Sequence, residues 1–102
     1  MEKTDSNQVT LINSFEVPTG QLKESIKYWE DCRDFLKVQP GYISTKLHQS
    51  IKEDARFLLV NVAIWESPKA FKEATKKMQK AIGTPPVVGL KPNASLYTVI
   101  RQ

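Results

Sequence analysis

An α+β domain of order β-α-β-β-α-β is what the sequence predicts, and three observations carry that prediction. Apolar residues recur with period two in four stretches and with a helical period in two others. Proline, glycine and polar clusters fall at each change of period. The chain has 102 residues, 40% apolar and 25% charged. That suits one globular domain with one thin core and leaves no room for two.

Val9 to Val17 alternates as a strand. Val9, Leu11, Phe15 and Val17 share one face, and Thr10, Ser14 and Glu16 lie on the other. Asn13 interrupts the apolar face. Pro18-Thr19-Gly20 breaks the strand and offers Thr19 as a helix cap. Leu22, Ile26, Trp29, Arg33 and Leu36 then recur at helical spacing, with Cys32 and Phe35 beside them. They predict an amphipathic helix of about five turns, ended by Gln39-Pro40-Gly41.

Tyr42 to Ile51 predicts a second strand, with Ile43, Leu47 and Ile51 on one face and Tyr42, Ser44, Lys46, His48 and Ser50 on the other. Lys52 to Ala55 is a polar turn, and Arg56 to Glu66 completes a hairpin with the most apolar strand of the chain. Ser67-Pro68 starts the second helix as a serine cap followed by proline at the first helical position. Phe71, Ala74, Met78 and Ala81 form its apolar stripe, and Gly83 stops it. Thr84 to Asn93 reads as a loop and Leu96 to Ile100 as a last short strand. The domain thus spans residues 9–101, after a polar tail at residues 1–8. Two split β-α-β units in this order make the ferredoxin-like pattern, an antiparallel four-stranded sheet with both helices on one face and strands one and three at its centre.

The third strand is apolar on both faces: Phe57, Leu59, Ala63 and Trp65 on one, Leu58, Val60, Val62 and Ile64 on the other. Two helices cover only one face of a sheet. The other calls for a second sheet, so the expected assembly is a homodimer with facing sheets, a dimeric α+β barrel.

The net charge is +4, with acidic and basic residues alternating on the first helix. Lys69, Lys72, Lys76, Lys77 and Lys80 cluster on the second without interleaved arginine or aromatic residues. They read as a solvated helix face, so nucleic acid is not expected as a partner. Residues 1–8 lack an apolar signal core, and no apolar run approaches the ~20 residues of a membrane span. A single cysteine, Cys32, excludes an intrachain disulfide and suits a reducing compartment. The expected location is therefore cytoplasmic, with no membrane partner.

Asn61 and Trp65 stand four apart on the third strand and point to the same side. Asn13, on the neighbouring first strand, also sits on an apolar face. A buried amide costs free energy unless hydrogen-bonded. An asparagine among valines and leucines therefore marks either a pocket that holds a substrate oxygen or an amide tied to backbone. Asn61 and Trp65 are the catalytic candidates. Asn13, Phe71 on the second helix, Phe57 on the face of Asn61 and Trp29 on the apolar face of the first helix are the substrate-binding candidates. His48 falls on the more polar face of the second strand, without Cys, Asp or Glu at metal-ligand spacing, so no metal site is expected. Cys32 reads as a small buried apolar residue. No phosphate-binding glycine loop, Ser-His-Asp pattern or nucleotide fingerprint is present, and no cofactor is evident.

Particular residues add a resemblance. Gln39-Pro40-Gly41-Tyr42-Ile43-Ser44-Thr45-Lys46-Leu47-His48, Val60-Asn61-Val62-Ala63-Ile64-Trp65-Glu66-Ser67 and the Ala70-Phe71 pair resemble the antibiotic biosynthesis monooxygenase family over about residues 9–101. The resemblance implies a dimeric ferredoxin-like barrel with a pocket between sheet and helices. Some members oxidise polycyclic phenols or quinols with O2 and no metal or flavin, with an asparagine and a tryptophan spaced as Asn61 and Trp65 lining the pocket. Phe71 stands where those members have a tyrosine, and no residue here matches their later arginine. Other members degrade haem with an asparagine on strand one, as Asn13, and a tryptophan and a histidine on helix two. Helix two here has neither, and Ala74 falls near the tryptophan position. The expectation is a cofactor-independent monooxygenase acting on an aromatic quinol- or anthrone-like molecule. The alternative is a non-catalytic dimeric barrel that binds a small apolar ligand or serves a stress response.

Overall fold

The computed structural model describes residues 7–102; most of the predicted polar tail, residues 1–6, lies outside them. Strands β1 (Val9–Phe15), β2 (Tyr42–Gln49), β3 (Leu59–Trp65) and β4 (Ala94–Tyr97) alternate with helices α1 (Leu22–Leu36) and α2 (Pro68–Ala81) in the predicted order. The sheet runs β2-β3-β1-β4 with every pairing antiparallel. This is the ferredoxin-like α+β fold.

β1 and β3 pair along their whole length, from Val9 opposite Trp65 to Phe15 opposite Leu59. Side chains on strands alternate, so Val9, Leu11 and Phe15 share a face with Leu59, Asn61, Ala63 and Trp65, and all seven are buried. The core lies on that face as two apolar clusters. One gathers Val9, Leu11, Ala63, Trp65 and Ala74, with Leu36, Tyr42 and Phe71 against it. The other gathers Phe15, Leu59, Val87 and Leu90, with Ile26, Tyr28, Trp29 and Leu47 against it. Asn13 and Asn61 are register partners that fall on the seam between these clusters. The opposite face presents Ile12, Val60, Val62 and Ile64, half-buried and, among the described residues, without a helix over them.

Ser67 caps α2 as predicted, its hydroxyl accepting the Ala70 N–H at 3.1 Å, with Pro68 at the first helical position. The cap of α1 is different. Gln21, not Thr19, precedes the helix, and no side chain caps it. Pro18 already turns the chain through its carbonyl, which accepts the Gln21 N–H at 3.0 Å. α1 has 15 residues, about four turns rather than five, because Lys37 ends the ladder on the Arg33 carbonyl.

The strands also depart from the predicted ranges. The β2–β3 link runs through residues 50–58 and contains Arg56 to Leu58, which the sequence places in the strand. Lys52 donates its N–H to the Ser50 hydroxyl at 3.0 Å, a local bond that turns the chain before it can pair. β4 occupies Ala94–Tyr97 instead of 96–100, because Tyr97 pairs with Thr10 and β1 begins one residue beyond. In β2 an extra residue interrupts the register between Tyr42 and Ser44. This bulge moves Tyr42 to the helix face opposite Trp65 and leaves Ile43 43% exposed.

Candidate active site

A cavity of about 540 Å³ opens beneath α1, bounded by the sheet, α2 and the loop before β4. Its volume lies within the range of small-molecule sites. The floor follows from the strand register: Asn13 and Leu11 of β1, Asn61, Ala63 and Trp65 of β3, Thr45 and Tyr42 of β2. The α1 wall brings Tyr28, Trp29, Cys32, Arg33 and Leu36, which a four-turn helix sets on one side. α2 contributes Phe71, Thr75 and Met78.

Trp65 is 1% exposed and held by two edge-on aromatic contacts, with Tyr42 at 5.6 Å and Phe71 at 5.7 Å between ring centroids. These distances and tilts suit the ring quadrupoles. Trp29 carries the Arg33 guanidinium 5.3 Å from its ring centre. The Arg33 Nε also bonds the Asp34 carboxylate at 3.1 Å.

The two floor asparagines are anchored differently. Asn61 is 8% exposed, and its Oδ1 accepts the Thr45 hydroxyl at 2.6 Å. Asn13 Oδ1 accepts the backbone N–H of Asn93 at 3.0 Å. Tyr28 and Cys32 sit one turn apart on α1. Burial, helped by a hydrogen bond to Cys32, pushes the Tyr28 hydroxyl well above the ordinary phenol range. Burial likewise raises the Cys32 thiol; the Tyr28 hydroxyl offsets part of that rise, and the Asp31 charge adds to it. Both groups stay protonated at neutral pH.

The profile of the antibiotic biosynthesis monooxygenase family matches residues 8–79, well over half of the chain. The chain belongs to the antibiotic biosynthesis monooxygenase family. Among solved structures, it is similar to a Shewanella loihica PV-4 protein provisionally described as a monooxygenase. The two are 52% identical with a TM-score of 0.88, covering 94% of this chain and 97% of the other. It shares its fold with SnoaB, a cofactor-independent oxygenase from Streptomyces nogalater, at 23% identity and a TM-score of 0.74, covering 94% and 96% of the two chains. It also shares the fold of the heme-degrader MhuD from Mycobacterium tuberculosis, at 22% identity and a TM-score of 0.70, covering 92% and 97%. No curated protein matches the chain. Membership in this family supports a monooxygenase-like function.

Of the candidates read from sequence, Asn61, Trp65, Asn13, Phe71 and Trp29 all line the cavity. Phe57 does not. It precedes β3, where alternation has not yet begun, and lies under the Arg56 guanidinium, 4.9 Å from its ring centre. His48 is exposed on the far side of the sheet, opposite Val60. Ala74, near the position of the haem degraders' helix-two tryptophan, is 2% exposed in the core. Sequence reading missed Tyr28, Tyr42 and Thr45 as lining residues. Tyr42 was hidden by the bulge. Thr45 carries a readable signal, a hydroxyl on the strand face of Ile43 and Leu47. Among the described residues no three His, Cys, Asp or Glu side chains are grouped to hold a metal ion, and no helix is long and apolar enough to cross a membrane.

Proposed function

We propose that this family member is a cofactor-independent monooxygenase that oxidises an aromatic, anthrone- or quinol-like small molecule with O2. One observation supports the reading most: a nine-tenths buried amide, Asn61, on the floor of a cavity walled by Trp65, Trp29, Phe71, Tyr28 and Tyr42. Flat aromatic walls fit a fused ring, and a buried amide among them fits a ring oxygen. For an anthrone, the ring methylene becomes a carbonyl. One atom of O2 enters the product, and the other leaves as water with the two methylene hydrogens. An electron-rich phenolate or enolate reduces O2 directly, so the protein's part is to orient the ring, exclude water and stabilise charge on its oxygen. Asn61 stabilises that oxygen, Trp65 and Phe71 bound the ring, and Asn13 assists from β1.

Oxygen uptake with a panel of anthrones and quinols tests this directly. The Asn61→Ala variant is expected to fold normally and lose about a hundredfold in kcat/KM, the cost of one donor to a developing oxyanion. Uptake no faster than the uncatalysed reaction across the panel, or an undiminished variant, sinks the reading.

The same reading includes a homodimer joined through the open sheet face. Ile12, Val60, Val62 and Ile64 are apolar there, and Val62 is central, paired with both Ile12 and Lys46. A charge at that point is costly to bury. Val62→Lys is expected to convert a sedimenting dimer to monomer while leaving the far-ultraviolet circular dichroism intact. A wild-type protein that sediments as a monomer removes the dimer.

A further inference from the structure

Arg33 stands where the pattern of α1 calls for an apolar residue. Leu22, Ile26, Trp29, Arg33 and Leu36 form one stripe at helical spacing. Leu22, Ile26 and Trp29 pack against one core cluster and Leu36 against the other, so Arg33 sits on the stripe between them. With Trp29 and Leu36 it lines the cavity. Its side chain is 36% exposed, against 69% for Lys27 and 52% for Lys37 on the same helix. A long cation on a solvated face keeps its charged head in water. This one lies over Trp29, its guanidinium carbon 5.3 Å from the ring centre.

That placement leaves hydrogen-bonding capacity unspent. A guanidinium carries a planar fork of N–H donors. Among the described residues its one hydrogen bond to another side chain runs from Nε to the exposed Asp34 at 3.1 Å, and Asp34 is itself shared with Lys37 at 3.4 Å. Neither Nη group has a hydrogen-bond partner among the described residues. Stacking on an aromatic face leaves the edge of the guanidinium plane open, and two parallel N–H groups on that edge match a carboxylate. No opposite charge competes inside. Arg33 is the one charged side chain in the lining, and Glu30, Asp31 and Asp34 of α1 lie outside it.

We propose that Arg33 determines specificity by binding a carboxylate carried on the ring of the substrate, so that the preferred substrate is an aromatic acid and not a neutral ring. This rests on the aromatic-substrate reading above and names a further feature of that substrate. The acid group is a handle separate from the reacting oxygen, because Arg33 belongs to the α1 wall and Asn61 to the sheet floor.

The probes are anthraquinone-2-carboxylate and anthraquinone-2-carboxamide, rings of the proposed shape that O2 does not oxidise and that differ in charge at one substituent. Quenching of tryptophan fluorescence reads their binding. The wild-type protein is expected to bind the acid about tenfold more tightly than the amide, with a preference that shrinks as salt is raised. Arg33→Gln is expected to bind both alike and to keep the affinity for the amide. Arg33→Lys, which keeps the charge without the fork, restores part of the preference. Asp34→Asn releases the Nε and is expected to tighten binding of the acid alone. A merely structural role for Arg33 changes both affinities together and leaves their ratio where it was. The inference is overturned by a wild-type protein that binds the two equally or by an Arg33→Gln protein that keeps the preference. Should that variant fail to fold, an Asp34→Asn protein with an unchanged ratio overturns it. Binding of neither compound removes the aromatic-substrate reading and this inference with it, whereas equal binding of both removes this inference alone.

Discussion

Trp65→Ala is expected to lose about 4 kcal/mol of folding stability, the middle of the range for removing a buried aromatic side chain. Trp65 is 1% exposed and sits in the cluster with Val9, Leu11, Ala63 and Ala74. It also ends the central β1–β3 ladder opposite Val9 and meets Tyr42 across the β2 bulge. Truncation removes burial and both edge-on contacts together, and Tyr42 and Phe71 are anchored on separate elements that cannot both close the gap. The midpoint of urea unfolding, followed by circular dichroism, reads the loss. Trp65→Phe keeps most of the aromatic volume and is expected to recover more than half of it. A Trp65→Ala midpoint within about 1 kcal/mol of wild type contradicts the packing described, since such values belong to surface positions.

Gly41→Ala is expected to cost about 3 kcal/mol, from two sources. Gly41 has φ +89°, a backbone region that costs an L-residue about 1–2 kcal/mol. A Cβ there also overlaps the Cβ of Ala70 on α2, and forced overpacking costs about 1–3 kcal/mol. The site admits no easy adjustment. The Gly41 carbonyl accepts the Glu66 N–H at 2.8 Å, and Ala70 is fixed by the Ser67 cap. The double variant Gly41→Ala, Ala70→Gly removes the overlap but not the left-handed strain, so it is expected to regain part of the loss. If the single variant unfolds with wild-type midpoint, the close approach of the β2 start to α2 is not as described.

The element order was legible because each signal was local. The Ser67-Pro68 start of α2, the Gln39-Pro40-Gly41 break and the period-two run around Asn61 depend on neighbours along the chain. So was the cavity face of β3, since Asn61 and Trp65 share it by parity alone. Parity failed where the backbone departed from it. The bulge at Ile43 put Tyr42 on the cavity side, and the turn through residues 50–58 took Phe57 out of the ladder. Thr19 reads as a cap, yet Gln21 holds that place because Pro18 had already turned the chain.

The antiparallel α+β fold, the two-faced apolar strand and the shared face of Asn61 and Trp65 were determined by the sequence alone, because each follows from residue type and spacing. Only the tertiary structure decided that Asn13 and Asn61 meet on the seam between two core clusters, that Thr45 holds one amide and the Asn93 backbone the other, and that Tyr28 and Cys32 face them. Those contacts join residues 16 to 80 positions apart. Their geometry is set by strand register and by the space left beneath α1, which no local pattern encodes.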